Sequence, residues 1–293
     1  MRRILLLVLV MGVLLLGACA IPSTPPSAPA QPTITENPRY VYENGAIEVG
    51  GDDEPIELIN NPNATDPTYA ELVAFIKKDS TDEHRYADSV DVYIGAAEVP
   101  YVCSDFAEDV HNNAETAGIR TAWVSIDFEG NDEGHALNAF ETTDRGLVYI
   151  DCTGRRFSSE LKNLRVVETE EGFSFVSDSP TSWDAIAYIE VGKEYGLIPI
   201  AKAELLLYSF YEEYKQKWQE YEKLVSEYNA EIMQYNEEIS GKIYIEGSPE
   251  LARIEAWEAR LKEKAEVIDE LGEELGDYCV EPLGIVKDMY IHW

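Results

Sequence analysis

Apolar residues recur at helical spacing in the middle of the chain. After Asp66-Pro67, the residues Leu72, Phe75 and Ile76 fall on one face, which predicts a short amphipathic helix. A second helix is predicted by a run of apolar positions that follows Tyr101, namely Phe106, Ala107, Val110, Ala114 and Ala117. Gly118 is a natural residue to end this helix. The register places Cys103 at the N-terminal end of the second helix.

Three strand patterns follow the second helix, at Arg120–Ile126, Gly134–Glu141 and Gly146–Cys152. A three-residue loop, Thr143–Arg145, would join the last two strands as a hairpin. Its register places His135 opposite Thr153, so that Asp151 is the diagonal neighbour of His135 on the same face. Cys152 then points to the other face. The hairpin therefore predicts contact between His135 and Asp151.

A heptad pattern dominates the last third of the chain. Apolar and mostly aromatic residues alternate steps of four and three from Leu207 to Ile239, which predicts a long helix with a coiled-coil seam. Gly241 ends this helix, and Ser248-Pro249 is typical of the start of another. The second seam, which runs from Leu251 to Leu275, is less regular. Because two helices joined by a short loop run antiparallel, we expect a coiled-coil hairpin over residues 201–278.

The chain ends in a segment with partial strand alternation, residues 279–293. Another strand is predicted just before the long helices, at Asp184–Gly192. Pairing these two strands gives the simplest topology, in which the helical hairpin protrudes before the domain's last strand. The core domain is then expected over residues 40–200.

The N-terminus has the features of an export signal. Arg2 and Arg3 precede an apolar run, Ile4–Leu16, that ends in Leu-Gly-Ala before Cys19. This string resembles the bacterial lipobox, which implies that residues 1–18 form a lipoprotein signal peptide and that Cys19 is lipidated. An uncleaved membrane anchor is the alternative, although the run is short for a membrane span. Either would hold the protein at the cell membrane, facing outside the cytoplasm.

The composition narrows the classes of partner. Residues 19–39 are rich in proline, which is typical of an extended tether. With 56 acidic and 23 basic residues, the chain carries a formal charge of −33. This charge argues against binding of nucleic acid through its phosphates. It also gives no attraction to anionic lipid, so attachment to the bilayer would depend on the acyl chains at the N-terminus.

Three residues in the middle of the chain form a candidate catalytic set. At a helix N-terminus, the unpaired backbone N–H groups and the helix dipole favour the thiolate form of Cys103. Asp105 and Glu108 oppose this effect, so an activated thiolate needs a nearby base. His135 could serve as that base, with Asp151 orienting the imidazole and stabilising its charged form.

These residues carry a resemblance to the transglutaminase-like superfamily. Its pattern is a cysteine at a helix start, a Gly-Ile pair, a Gly-His pair that opens a strand and an aspartate that ends the next strand. Here the matching residues are Cys103, Gly118-Ile119, Gly134-His135 and Asp151, in the same order, over about 50 residues. The resemblance implies an α+β, papain-like core, in which an antiparallel sheet packs on the cysteine-bearing helix. It also implies cleavage of an amide bond through a thioester, followed by hydrolysis or acyl transfer.

The family's oxyanion-hole donor has no clear match. The backbone N–H of Cys103 is one candidate, and an upstream aromatic residue, Tyr93 or Tyr101, is another. No cofactor is implied, although some transglutaminases depend on calcium and the loop Asp127–Glu133 is rich in oxygen ligands. This loop lacks EF-hand spacing, so a solvated turn is the favoured interpretation.

The remaining cysteines and histidines have simpler interpretations. Cys152 and Cys279 could form a disulfide in an oxidising compartment or remain two unpaired thiols, and spacing leaves both open. His84, His111 and His292 are interpreted as surface or packing residues.

The sequence thus favours a lipid-anchored cysteine enzyme that acts on protein or peptide amide bonds outside the cytoplasm. A different class of function also fits. In this second hypothesis the protein is a non-catalytic envelope scaffold, and the coiled-coil hairpin contacts a partner or a second copy of the chain.

Overall fold

The computed structural model describes residues 39–43, 45–86, 101–131, 133–153, 155–156, 164–169, 172–177, 184–276 and 283–293. Within these ranges the fold is mixed α+β, and the N-terminal signal and tether, residues 1–38, lie outside them. The α-helices are α1 (Tyr69–Ile76), α2 (Cys103–Thr116), α3 (Tyr208–Ile239) and α4 (Pro249–Leu275), and a 3₁₀ helix spans Thr81–Glu83.

The strands are β1 (Arg39–Tyr40), β2 (Tyr42–Glu43), β3 (Ala46–Ile47), β4 (Glu57–Leu58), β5 (Arg85–Tyr86), β6 (Ala122–Phe128), β7 (His135–Thr142), β8 (Gly146–Asp151), β9 (Arg155–Arg156), β10 (Leu164–Thr169), β11 (Gly172–Ser177), β12 (Ala185–Tyr188), β13 (Gly196–Pro199) and β14 (Val286–His292). Six of them form an antiparallel sheet in the order β13-β12-β8-β7-β6-β14. The others form two-stranded ladders, antiparallel for β1–β4, β2–β3 and β10–β11, and parallel for β5–β9.

The β7–β8 hairpin lies at the centre of the sheet. Thr142 pairs with Gly146 and Asn138 pairs with Ile150, which is the register expected for a three-residue loop. Gly146 adopts a φ of +74°, in the left-handed region that such a loop requires at this position. The predicted hairpin register is therefore confirmed, and each of the three predicted strands is present within two residues of its expected ends.

Alternate residues of the sheet contribute to two separate clusters. Phe140 packs with Leu72 of α1 and Val110 of α2 in the core beneath one face. Leu137 belongs to the cluster on the other face, together with Val124. Because side chains alternate along a strand, His135 points to the side of Leu137, but as the first residue of β7 it also meets Cys103, the first residue of the helix on the other side.

An extended N-terminal segment lies along α2. The backbone N–H groups of Glu57, Ile59 and Asn61 donate to side chains on α2 over distances of 2.8–3.0 Å. The acceptors are Glu108, Asn112 and Glu115, in that order. Every second residue of an extended chain advances about 6.6 Å, which is close to the rise of one helical turn between the acceptors. The segment therefore adds a layer over the exposed side of α2 and fixes its position.

The helices α3 and α4 run antiparallel. The ring centroids of Tyr235 and Trp257 are 5.5 Å apart, and Trp257 Nε1 donates to Glu231 at 2.8 Å. At the opposite ends of the helices, the hydroxyl of Tyr214 donates to the carbonyl of Leu275 at 2.7 Å. With 32 residues, α3 is about 48 Å long.

The apolar seam predicted along α3 divides into two parts. Leu207, the first predicted seam residue, precedes α3 and is exposed. The next three seam residues, Tyr211, Tyr214 and Trp218, belong to the domain core, in the same cluster as Ile198. From Tyr221 onward the seam residues are half-buried. The first three turns of α3 therefore anchor the helical pair in the domain.

The predicted pairing of the closing strand with β12 is wrong, although the N–H of Gly192, at the end of the predicted segment, donates to the carbonyl of Val286 at 2.8 Å. The strand β14 pairs with β6, with Tyr290 opposite Ser125, and lies at the far end of the sheet from β12. Both edges of β12 are occupied, one by β8 and the other by the short strand β13, Gly196–Pro199, which the sequence patterns did not reveal. With both edges of β12 occupied, the last strand pairs with β6 at one end of the sheet.

Candidate active site

The candidate nucleophile lies at the start of α2. Cys103 is the first residue of this helix and is half-buried. The N-terminus of the helix is fixed by Asp105, whose carboxylate accepts the N–H of Val102 at 2.7 Å and that of Gly51 at 3.0 Å. A side chain at Gly50 would place its Cβ 2.0 Å from Asp105 Oδ1, so a larger residue there would displace this carboxylate.

The candidate base and acid lie at adjacent strand ends. His135 is the first residue of β7, Asp151 is the last residue of β8, and both are buried. His135 Nε2 lies 2.8 Å from Asp151 Oδ2. With Nε2 engaged by the carboxylate, Nδ1 is the nitrogen left to interact with the Cys103 sulfur. The structure thus brings all three sequence-predicted residues together.

Two further donors hold the carboxylate of Asp151. The backbone N–H of Thr153 donates to Oδ1 at 2.8 Å, and the hydroxyl of Tyr195 donates to Oδ2 at 2.7 Å. Tyr195 also packs its ring against that of His135, with centroids 5.4 Å apart at 69°. The sequence patterns did not single out Tyr195, because it precedes the short strand β13 and lies 44 residues from Asp151.

The electrostatics of the group favour an ion pair. Burial opposes ionisation of Cys103, but the hydrogen bond and charge of His135, with the backbone N–H of Ala136, hold the pKa of the thiol below its ordinary value. Burial alone would lower the pKa of His135, whereas the charge and hydrogen bond of Asp151 raise it well above the usual range. Burial opposes ionisation of Asp151 too, but His135 and the other donors hold the pKa of this carboxyl well below its usual value. The favoured state is a thiolate beside an imidazolium.

One of the candidate oxyanion-hole donors is already engaged. The hydroxyl of Tyr101 donates to Asp109, while Tyr93 lies outside the described residues. The N–H of Cys103 belongs to the first turn of α2, where N–H groups have no acceptor within the helix. It remains our candidate donor.

The other histidines occupy different surroundings. His84 is exposed and stacks on Tyr101, with ring centroids 4.7 Å apart, and His292 lies 3.0 Å from Glu43. His111 is fully buried in α2, and neither ring nitrogen has a hydrogen-bond partner among the described residues. His111 is thus a packing residue rather than a surface one.

The remaining cysteine and metal hypotheses stay as predictions. Cys152 is buried, and burial and Asp184 raise the pKa of its thiol, while its proposed disulfide partner, Cys279, lies outside the described residues. No cluster of three or more His, Cys, Asp or Glu suited to a metal ion occurs in the described part of the chain. Asp132, in the candidate calcium loop, is outside that part.

The lipidation residue, Cys19, also lies outside the described residues. Among the helices that are described, none has the length and apolar character needed to span a bilayer. Comparisons with protein-family models, with curated proteins and with solved structures found no match.

Proposed function

We propose that this protein is a transglutaminase-like cysteine enzyme that cleaves amide bonds through a thioester. The proposal depends on one observation: Cys103, at a helix N-terminus, interacts with His135, whose Nε2 lies 2.8 Å from the buried carboxylate of Asp151. This is the nucleophile, base and orienting acid that acyl transfer by cysteine requires.

The geometry supports a two-step reaction. The Cys103 thiolate attacks the carbonyl carbon of the amide, and the imidazolium of His135 gives its proton to the departing amine. The products of this step are a thioester on Cys103 and a free amine. In the second step, neutral His135 takes a proton from water or from an acceptor amine as it attacks the thioester. The acyl group leaves as a carboxylic acid or a new amide, and the thiolate–imidazolium pair is restored.

The same proposal includes a papain-like core and a coiled-coil arm. The order of elements supports the first, because the cysteine-bearing helix α2 packs on the sheet beside the β7–β8 hairpin. The antiparallel contacts between α3 and α4 support the second. The N-terminal sequence up to Cys19 supports a lipid anchor that holds the enzyme outside the cytoplasm.

Acylation of the thiol tests the proposed chemistry. The full-length chain would be incubated with 4-nitrophenyl acetate, and acetylation would be located by peptide mass mapping. We expect acetyl transfer to Cys103. In His135→Ala the rate should be about 100-fold lower, which is the lower end of the range for loss of a general base. Cys152→Ala is the matched control, because it removes a buried thiol outside the proposed site and should leave the rate unchanged.

The same assay can separate hydrolysis from transfer. Added primary amine should convert part of the acetyl group to an amide if the thioester accepts amines, and only acetate should form if it does not. Acetylation that is independent of both Cys103 and His135 would refute the proposed function.

One observation favours the scaffold as a second candidate. The loop between α3 and α4 exposes two isoleucines, Ile243 at 89% and Ile245 at 76% of their surface. Together these side chains offer an apolar contact to a partner at the end of the helical pair. A folded protein whose Cys103 is not acylated, but which loses a partner after Ile243→Ser and Ile245→Ser substitution, would support this alternative.

A further inference from the structure

Tyr195 is fixed at both its backbone and its side chain. It precedes β13, its side chain is 1% exposed, and its backbone N–H donates to the carbonyl of Gly284 at 2.9 Å. The ring meets His135 edge to face and also contacts Phe128, with centroids 5.9 Å apart at 74°. Its hydroxyl therefore reaches Asp151 from a rigid support.

We propose that Tyr195 is a positioning residue that holds Asp151 ionised and aimed at His135. This inference rests on the proposed function, because it assigns Tyr195 a role in activating Cys103. The hydroxyl donates to the same oxygen, Oδ2, that faces the imidazole of His135. Since the ring also packs on the imidazole, Tyr195 fixes both members of the pair.

The requirement for this donor follows from burial. Asp151 is 3% exposed, and a buried carboxylate stays ionised only when its oxygens accept enough hydrogen bonds. Thr153 supplies its backbone N–H to Oδ1, whereas Oδ2 accepts from Tyr195 and His135. Without the hydroxyl, the proton that belongs on His135 could move to Asp151. The imidazolium would then be lost, and with it the charge that stabilises the Cys103 thiolate.

The titratable residues around Asp151 come from several elements. Cys103 approaches from α2, and His135 from β7. Asp184, which precedes β12, interacts with Cys152, the residue next to Asp151. Substitution of Tyr195 by phenylalanine leaves all these groups in place and keeps the ring, so that only the hydroxyl is removed.

The test is the rate of Cys103 alkylation by iodoacetamide as a function of pH, measured by peptide mass mapping of the full-length chain. For Tyr195→Phe we expect the apparent pKa of Cys103 to rise by about one unit. Alkylation at acidic pH should then be about tenfold slower, as expected for one charge-assisted hydrogen bond. The matched control is Tyr188→Phe, which also removes a buried hydroxyl, one that donates to the carbonyl of Leu205 at 2.7 Å. Its profile should match the wild type.

A double substitution tests whether Tyr195 acts through Asp151. In an Asp151→Asn background, Tyr195→Phe should change the alkylation rate by less than about twofold, because the interacting carboxylate is gone. A full tenfold loss in that background would overturn the proposal. So would a Tyr195→Phe profile that coincides with the wild type.

His135→Ala separates failure of this inference from failure of the proposed function. If His135→Ala raises the pKa of Cys103 but Tyr195→Phe does not, only the role of Tyr195 is refuted. If His135→Ala also leaves the profile unchanged, Cys103 is not activated by His135, and both proposals fail.

Discussion

The buried His111 gives a quantitative prediction about stability in acid. Its side chain is 0% exposed, and burial lowers its pKa from 6.5 to about 3. The unfolded chain therefore binds a proton near pH 6.5, whereas the folded chain does not, so the free energy of unfolding falls as the pH drops below 6.5. A pH of about 5 lies about 1.5 units below the pKa of histidine in the unfolded chain. The free energy of unfolding should therefore be about 2 kcal/mol lower there than near neutral pH.

The substitution His111→Leu removes this loss. Leucine fills a similar volume without ring nitrogens that lack hydrogen-bond partners, so near pH 7.5 the variant should be at least as stable as the wild type. Urea denaturation near pH 7.5 and pH 5 measures the free energy of unfolding at each pH. From pH 7.5 to pH 5, the free energy of unfolding of the variant should rise by about 2 kcal/mol relative to that of the wild type.

The comparison isolates His111 from the acidic residues on the same helix. Burial raises the pKa values of Asp105, Glu108 and Glu115, which favours the folded state at lower pH, opposite to the effect of His111. Because both chains keep these residues, their contribution largely cancels. His84→Gln, at an exposed histidine, is the matched control and should follow the wild type. Equal losses of stability in His111→Leu and wild type would refute this explanation.

Two further substitutions test other charged groups. Asp151→Asn removes the charge that stabilises the His135 imidazolium, and with it the stabilisation of the Cys103 thiolate. We therefore expect Cys103 alkylation at about pH 6 to slow by at least about tenfold. An unchanged rate in a folded variant would contradict the orienting role of Asp151. Glu108→Gln keeps an acceptor for the N–H of Glu57 but removes a carboxyl whose pKa burial raises from 4.5 to about 7. Ionisation of this half-buried group costs stability as the pH rises. The shift of its pKa corresponds to roughly 3 kcal/mol by about pH 8, which solvent screening reduces to about 1–2 kcal/mol. The variant's advantage in urea denaturation should therefore grow to about 1–2 kcal/mol by about pH 8 and vanish near pH 4; a constant difference would contradict this assignment.

Local patterns were sufficient to predict the centre of the site. The helical spacing after Tyr101 and the glycine at position 118 determine where α2 begins and ends. The three-residue loop determines the register of β7 and β8, and with it the contact between His135 and Asp151. These features depend on residues close together in the sequence, where spacing and turn chemistry act directly.

Contacts between distant segments were not accessible to the same reasoning. No turn links β14 to its neighbour, and its alternation suits either β6 or β12, whose second edge is taken by the unrecognised strand β13. Tyr195 was missed for a related reason, because a tyrosine in a loop carries no periodic signal. The contacts of Glu57 and Ile59 with α2 are made by backbone N–H groups. Because almost every residue has such a group, nothing in the sequence marks these two.

The ionisation of Cys103 can be measured directly from the ultraviolet absorbance of its thiolate. The difference between the full-length wild type and Cys103→Ser, titrated with pH, removes the contributions of the other cysteines and of the tyrosines. We expect a transition well below the pKa of about 8.5 of a free cysteine, and its return toward that value in His135→Ala. A wild-type transition at or above about 8.5, or one that His135→Ala does not move, would contradict the Cys103–His135 ion pair on which the proposed function depends.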